Sequence, residues 1–395
     1  MTLQTDLMRH LDQSAADIQT IRRHLHAHPE VSFAEKETAA YIKGFYQHLG
    51  LPMQDYGDGY GFAVTIDSGR PGKHLALRAD FDALAVQEDN DLPFKSLNPG
   101  VMHACGHDAH TAYLMILARE LNVLRDQLTG SVRIIHQPAE EVSPGGAKGM
   151  IAAGVLDGID NVLGAHVMTN MATGTIGYHV EETQTGRANF TLTFAGKGGH
   201  ASMPHLANDA IVAGSYFVTA LQTVVSRRID PFDTASVTIG SFDGAGSFNA
   251  INQSVTLKGD VRIMKETTRK TVRDQIEQIT HGIETMFGVT ATLAYDDNYP
   301  VLYNDKTLTE NAMTHIRDAN IPEITSVFDC GPQDPSEDFA YFAQTVPSSF
   351  FYIGCDVADG QTHPHHSPNF LLDERCLLIA AKVVGTATVA YLNQD

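Results

Sequence analysis

Apolar residues recur with two different spacings along the first 180 residues, one typical of helices and one typical of strands. Leu114, Leu117, Leu121 and Leu124 share one face of a predicted long helix. Short apolar runs bounded by turn residues predict strands. The predicted elements of this part are helices at 17–27, 35–49 and 109–128 and strands at 62–66, 75–78, 131–136 and 162–167. Their alternation predicts an α/β layer with a largely parallel sheet.

A different order of elements follows between residues 185 and 296. The predicted elements are strands at 189–194, 235–239, 255–263 and 289–294 and helices at 208–226 and 267–287. Their order, β-α-β-β-α-β, is that of a ferredoxin-like unit, which can form its own two-layer core. We therefore predict an inserted second domain at 185–296, within an outer domain formed by 1–184 and 297–395.

The α/β pattern resumes after the insertion. A strand is predicted at 349–353, and Asp373 is predicted to cap a final helix that runs to about Leu392. A chain of 395 residues is long enough for two domains. Because the outer domain is interrupted, both of its halves can contribute residues to one site.

Composition excludes several classes of function. The net charge of −20 repels phosphate backbones, so we expect no nucleic-acid partner. The chain has no run of 18 apolar residues, and its start lacks the basic and apolar segments of a signal peptide, so we expect no membrane partner. The four cysteines are widely scattered, which favours free thiols in a reducing compartment. These features together predict a cytoplasmic protein.

Cys105-Gly106-His107 lies just before the predicted long helix. A thiolate and an imidazole that flank one glycine can converge on a metal ion, because glycine allows a tight turn. Asp108 could orient an imidazole. The spacing alone is a weak signal. By itself it favours the alternative, a buried cysteine before a helix whose N-terminal dipole favours Asp108.

Glu140 and Glu141 follow a predicted strand that ends near Pro138. Open α/β sheets commonly place their sites at the carboxyl ends of strands. One carboxylate of such a pair can bind a cation while the other accepts a proton. The alternative is an acidic turn in solvent, and the pair alone favours that alternative.

Spacing does not select further ligands among the 19 histidines. His166 and His366 each end a strand-like or turn-like segment, and either could be an ordinary polar residue. Asp80 and Asp82 follow a predicted strand, where they could support a site or form an acidic turn.

Six motifs then carry a resemblance to a known family. They are IRRHLHAHPE at 21–30, RADFDAL at 78–84, HACGHD at 103–108, QPAEE at 137–141, GGHAS at 198–202 and SEDFA at 336–340. This set resembles peptidase family M20, the aminoacylase and carboxypeptidase G family of two-metal peptidases. It is most similar to the amidohydrolase branch, which includes hippurate hydrolases and auxin-conjugate hydrolases.

The resemblance implies an α/β, metallopeptidase-like catalytic domain at 1–184 and 297–395 and a ferredoxin-like lid and dimerisation domain at 185–296. Two divalent ions, zinc or manganese, would share a water molecule, and Glu140 would act as the general base. The positions that match the family's metal ligands are Cys105, His107, Glu141, His166 and His366.

The inserted domain also contains matching positions. His200 corresponds to a histidine that the family offers to the reacting carbonyl, and Asn249 to an asparagine near the substrate. The family often has proline where this chain has Asn252. The resemblance further implies a homo-oligomer, a dimer or tetramer, because in related enzymes a partner subunit can supply the histidine.

The expected activity is hydrolysis of N-acyl amino acids or related small amide conjugates. The alternative within the same metal site is a dipeptidase or aminopeptidase that acts on short peptides. A zinc nucleobase deaminase is disfavoured, because no Pro-Cys-x-x-Cys segment is present. A non-catalytic scaffold would be expected to lack a ligand or the base, yet all six positions are filled.

Overall fold

The structure is a computed structural model that describes residues 2–57 and 59–393. The helices are α1 Leu3–Gln13, α2 Ala15–Ala27, α3 Lys36–His48, α4 His107–Val123, α5 Ala147–Ala152, α6 Ala210–Arg228, α7 Glu266–Phe287, α8 Lys306–Asp318, α9 Ala340–Thr345 and α10 Arg375–Leu392. The strands are β1 Met53–Asp55, β2 Phe62–Asp67, β3 His74–Asp80, β4 Ser131–Gln137, β5 Asn161–Ala172, β6 Thr175–Tyr178, β7 Glu181–Gln184, β8 Gly186–Ala195, β9 Gly199–His200, β10 Ala235–Asp243, β11 Ala250–Ile251, β12 Ser254–Ile263, β13 Thr290–Asp296, β14 Leu302–Asn304, β15 Ser326–Asp329 and β16 Ser348–Asp356.

The chain forms two compact units. The first unit contains residues 1–183, 303–331 and 338–395, and the second contains 184–302 and 332–337. The segment predicted as an inserted domain, 185–296, lies within the second unit.

The first unit is built on an eight-stranded sheet with the order β1-β2-β4-β3-β5-β16-β6-β15. Strands β4, β3, β5 and β16 run parallel to one another, as do β6 and β15. The pairs β1–β2, β2–β4 and β6–β16 are antiparallel, so the sheet is mixed rather than largely parallel. Its parallel centre places the carboxyl ends of β3 and β4 side by side.

Helices α4 and α10 belong to the main core of the first unit. Within the described residues, α10 is the one helix that is both long enough and apolar enough to cross a membrane. However, 83% of it is buried inside the fold. Its N-cap is Glu374 rather than Asp373. The Oδ1 atom of Asp373 still accepts the N–H of Arg375 at 3.0 Å, so the aspartate binds the first turn from one position further out.

The second unit has a four-stranded antiparallel sheet with the order β10-β12-β8-β13. Side chains of β8 are alternately buried and more exposed, as expected for a sheet with one covered face. Helices α6 and α7 share a core with that sheet. Asp209 caps α6 by accepting two backbone N–H groups, and Gly288 ends α7 in a left-handed conformation. This is the predicted ferredoxin-like arrangement.

Candidate metal centre

Cys105 and His107 lie where the chain enters α4. Gly106 is the N-cap of this helix, with a φ of 90°. A Cβ atom at Gly106 would lie 2.4 Å from Cγ2 of Val167. Glycine is therefore required by both the backbone conformation and the close approach of β5. The turn holds the thiol and the imidazole on the two sides of the glycine.

His107 is oriented by Asp82. Its Nδ1 atom is 3.0 Å from the backbone oxygen of Asp82 and 3.1 Å from Oδ1 of the same residue. Both partners are acceptors, so Nδ1 carries a proton and donates it. The Nε2 atom of His107 is buried without a hydrogen-bond partner. This orphaned nitrogen is the atom that could bind a metal.

Glu140 and Glu141 lie in the turn after β4. Ala139, just before them, has a φ of 56°, which is uncommon for a residue with a side chain. The N–H of Glu141 donates to Oδ2 of Asp82 at 3.0 Å. Glu140 is buried, so the predicted acidic turn in solvent does not describe this pair. Oε1 of Glu141 is also buried without a hydrogen-bond partner.

His166 and His366 reach the same region from β5 and from the loop before α10. Nδ1 of His166 donates to the backbone oxygen of Val167 at 2.7 Å, which leaves Nε2 as the acceptor, 3.5 Å from the Cys105 sulfur. His366 has a left-handed backbone, and its N–H donates to Ala104 at 2.8 Å. Its Nε2 atom is 3.2 Å from Oε1 of Glu141.

These side chains form two groups of three that share Cys105. The possible ligand atoms of each group lie within 4.8 Å of one another. The groups are Cys105 with His107 and His166, and Cys105 with Glu141 and His366. A third group of the same size joins His107 with Glu140 and Glu141. The thiol, imidazole and carboxylate groups would suit two divalent cations, and the unpartnered Nε2 atom of His107 is available as one of the ligands.

The electrostatics of the group also favour cations. Burial raises the pKa of the Cys105 thiol well above its usual range, and the Glu141 and Glu140 carboxylates raise it further. Burial alone would lower the pKa of His107, but Asp80 and other carboxylates raise it to about 10. The same carboxylates that keep Cys105 and His107 protonated would also attract a metal cation. Protons and metal ions would therefore compete for the sulfur and the imidazole nitrogen.

Two supporting residues have roles that the sequence left open or unassigned. The buried carboxylate of Asp80 accepts from Nδ1 of His110 at 2.6 Å, and Nε2 of His110 accepts the N–H of Val167 at 3.0 Å. His110 thereby links β3 to the backbone beside His166. His110 recurs three residues after His107, one turn along α4, and that spacing was the available signal. Asp80 and Asp82 support the site rather than forming an acidic turn.

His200 and Asn249 lie in the second unit, close to each other. The short strands β9 and β11 pair so that His200 faces Ala250, and the N–H of Ala201 donates to the oxygen of Asn249 at 3.1 Å. Nδ1 of His200 accepts the N–H of Ser202 at 3.2 Å. In the neutral ring the proton therefore lies on Nε2. The side-chain amide of Asn252 donates to the backbone oxygen of Gly244 at 2.8 Å, a hydrogen bond in this loop that a proline side chain could not make.

A large cleft of about 980 Å³ lies elsewhere on the first unit. It is lined by residues such as Arg23, Phe94 and Glu374, and none of the six candidate residues of this unit lines it. Cavity size alone would therefore point away from the cluster of histidines and acids.

Comparisons with known sequences agree with the motifs. The family model described as peptidase family M20/M25/M40 matches residues 76–389. The N-acetyl-L-cysteine deacetylase of Bacillus subtilis is 37% identical over 375 residues, 95% of this chain and 88% of that protein. The N-acyl-L-amino acid amidohydrolase of Geobacillus stearothermophilus is 39% identical over 302 residues, 76% of this chain and 82% of that protein.

Solved structures agree with the fold. A protein from methicillin resistant Staphylococcus aureus matches with a TM-score of 0.96 and 54% identity, over 99% of this chain and 100% of that chain. A dinuclear metal binding peptidase of family M20 from Bacillus subtilis matches with a TM-score of 0.84 and 30% identity, over 97% and 100%. The predicted fold class and the predicted resemblance are thus confirmed. The chain belongs to peptidase family M20 and is a hydrolase of C–N bonds.

Proposed function

We propose that the protein hydrolyses the amide bond of N-acyl amino acids or related small amide conjugates. The observation that carries this proposal is the pair of three-residue groups that share Cys105, with Glu140 buried beside them. The names of the two relatives, a deacetylase of N-acetyl-L-cysteine and an amidohydrolase of N-acyl-L-amino acids, support the substrate class.

The ligands of two divalent ions are proposed to be Cys105, His107, Glu141, His166 and His366. Thiolate and imidazole ligands suit zinc, whereas carboxylates suit manganese, so the mixed set is compatible with either ion. When bound, such ions lower the pKa of a water molecule and polarise a carbonyl oxygen. The chain's own contribution is to fix these five side chains through Asp82, Asp80 and the backbone.

Glu140 is proposed to accept the proton of the attacking water and to return it to the leaving nitrogen. Its carboxylate oxygen lies within 4.8 Å of ligand atoms of His107 and Glu141. That position suits a group that exchanges protons with a water molecule held at the same place. Glu141, whose buried Oε1 lies 3.2 Å from Nε2 of His366, suits the ligand role instead.

His200 and Asn249 are proposed to bind the substrate, with His200 donating a hydrogen bond to the oxyanion. The support is local: Ser202 occupies Nδ1 of His200, so that Nε2–H is the donor that remains. A preorganised donor of this kind stabilises the charge that develops on a carbonyl oxygen.

The alternative function is that of a dipeptidase or aminopeptidase. The test begins with metal analysis of the purified protein, for which we expect two equivalents of zinc or manganese per chain. The same sample is then assayed with N-acetyl amino acids, hippurate-like aroyl conjugates and dipeptides. Hydrolysis of the N-acyl compounds supports the proposal. Hydrolysis of dipeptides alone would favour the alternative.

The protein is also proposed to be a cytoplasmic homo-oligomer, a dimer or tetramer. All four cysteines are free thiols, as a reducing compartment requires. In the second unit, Phe232 and Phe248 are 97% and 100% exposed, and we propose that a partner subunit covers them. Light scattering coupled to gel filtration measures the oligomeric state, and a monomer at micromolar concentration would contradict the proposal.

A further inference from the structure

Glu35 is a buried acid that the proposed reaction does not use. It lies at the N-terminus of α3 and has no exposed surface. One oxygen, Oε1, accepts the N–H of Ala139 at 2.8 Å, whereas Oε2 is buried without a hydrogen-bond partner. Burying a carboxyl group is costly, and the hydrogen bond between Oε1 and the Ala139 N–H offsets part of that cost.

The contact is made where the backbone is strained. Ala139 has a φ of 56°, a conformation that residues with a side chain seldom adopt and that persists when the surroundings enforce it. Glu140 comes directly after it. The Ala139 N–H binds Glu35, and the Glu141 N–H binds Asp82 at 3.0 Å. Two buried acids therefore hold the backbone on both sides of Glu140.

Asp82 is itself fixed from the same segment as Glu35. The Ser32 hydroxyl donates to Oδ2 of Asp82 at 2.7 Å. The segment 32–35 thus contains one of the two acceptors, Glu35, and positions the other, Asp82, through Ser32. Glu140 lies on a turn rather than on a helix or strand, so its direction depends on these contacts.

We propose that Glu35 is a positioning residue that directs Glu140 by accepting the N–H of Ala139. This inference rests on the proposed function, in which Glu140 is the proton acceptor. Burial raises the pKa of Glu35 to about 7, and the nearby Asp82 carboxylate acts in the same direction, whereas backbone hydrogen bonds from Glu35 itself, Ala139 and Phe33 lower it. A protonated carboxyl group still accepts through its carbonyl oxygen, so the contact persists on both sides of that pKa.

Three variants separate the contact from the charge. Glu35→Ala removes the acceptor, Glu35→Gln keeps an acceptor oxygen without charge, and Glu35→Asp keeps the charge on a shorter side chain. Because a misplacement of about 1 Å can cost about 10²-fold in rate, we expect Glu35→Ala to lower kcat by roughly that factor. KM and the number of bound metal ions should stay near the wild-type values. Glu35→Gln should keep kcat within about threefold, and Glu35→Asp should fall between the two.

A second readout does not depend on activity. Hydrogen exchange of the Ala139 amide reports its hydrogen bond, and we expect exchange about tenfold or more faster in Glu35→Ala and near wild type in Glu35→Gln. Glu120→Ala is the matched control, because Glu120 is also a buried acid but contacts His10, Ser14 and Arg119 instead. It should lower the melting temperature and leave both readouts unchanged.

The proposal for Glu35 is overturned if Glu35→Ala keeps wild-type kcat or Ala139 exchange, if Glu35→Gln fails as Glu35→Ala does, or if metal is lost in parallel with kcat. Should Glu35→Ala not fold, Glu35→Asp and Glu35→Gln provide the same contrast. A wild-type enzyme that hydrolyses no amide would instead contradict the proposed function, and the two failures are therefore distinct.

Discussion

At the scale of single residues, the proposed division between Glu140 and Glu141 leads to a direct test. General-base catalysis contributes about 10²- to 10⁴-fold to rates, so Glu140→Gln should lower kcat by that order while both metals stay bound. Steady-state kinetics and metal analysis on one sample check this. Glu120→Gln, a change at a buried acid near the C-terminal end of α4, should leave kcat unchanged. Normal hydrolysis by Glu140→Gln with full metal content would refute the assignment of the base.

His200 leads to a test of the oxyanion donor. Removing one such donor typically costs about 10²- to 10³-fold in kcat, and His200→Ala should show a loss of that size with its metal content intact. His205→Ala is the control, since His205 is an exposed histidine of the same unit. Metal loss in His200→Ala would show that His200 is a ligand instead.

His136 should make the protein sensitive to acid. Burial lowers its pKa to about 3, from an ordinary value near 6.5, and Nε2 contacts the Tyr46 hydroxyl at 2.8 Å. As pH falls from about 6.5 to about 3, His136 becomes protonated in the unfolded chain but stays neutral in the folded protein. Stability therefore falls over that window, by up to about 1.4 kcal/mol per pH unit for this group.

The variant His136→Gln should flatten that dependence. Chemical denaturation at several pH values between 4 and 7 measures the slope of the unfolding free energy. The exposed His48 provides the control, since His48→Gln should leave the slope unchanged. An unaltered slope in His136→Gln would mean that other groups account for any acid sensitivity.

At the scale of elements, the entry to α4 should tolerate no side chain. Gly106→Ala should destabilise the protein by more than about 1 kcal/mol and weaken metal binding, since the left-handed φ and the contact with Val167 both oppose a Cβ atom. Gly44→Ala should do the reverse. Gly44 lies inside α3 with open space around it, and alanine there should stabilise by roughly 0.5–1 kcal/mol. Thermal melts and metal titrations compare the two variants, and equal effects would contradict this reading.

Elements with strong periodicity were predictable, and weaker ones were not. Helix α4 begins at His107 instead of 109, because the left-handed Gly106 starts it two residues earlier. Helices α1 and α8 were missed. Leu7 and Leu11 in α1, and Ala312 and Ile316 in α8, have helical spacing and are buried, so the signal was present but diluted by polar neighbours.

The site was less predictable than the elements. The motif residues Cys105 and Glu140 could be singled out, but spacing could not separate His166 and His366 from the other histidines. Their proximity arises from the pairing of β5 with β16 and from a loop conformation that no local pattern encodes. The roles of Asp82 and Glu35 likewise come from contacts with residues far away in sequence.

At the scale of the whole molecule, metal removal should abolish activity and leave the fold. The main core of the first unit is a large apolar cluster that contains none of the proposed ligands. We expect a chelated sample to keep its helical circular dichroism, to lose hydrolysis, and to melt at a lower temperature. Adding zinc or manganese should raise the melting temperature with concentration, as ligand binding to the native state requires. Full activity after complete metal removal would contradict the proposed function.

The first unit is built from three separate segments of the chain, and this affects the order in which the two units can fold during synthesis. Strand β16 lies between β5 and β6 in the large sheet, and α10, the last helix, lies in the core. The core of the second unit is complete by Val301. During synthesis from the N-terminus, the second unit can therefore fold before β16, an interior strand of the first unit's sheet, has been synthesised. His366 follows the whole second unit in the chain, so a nascent chain cannot assemble the proposed metal centre before residue 366 has been synthesised.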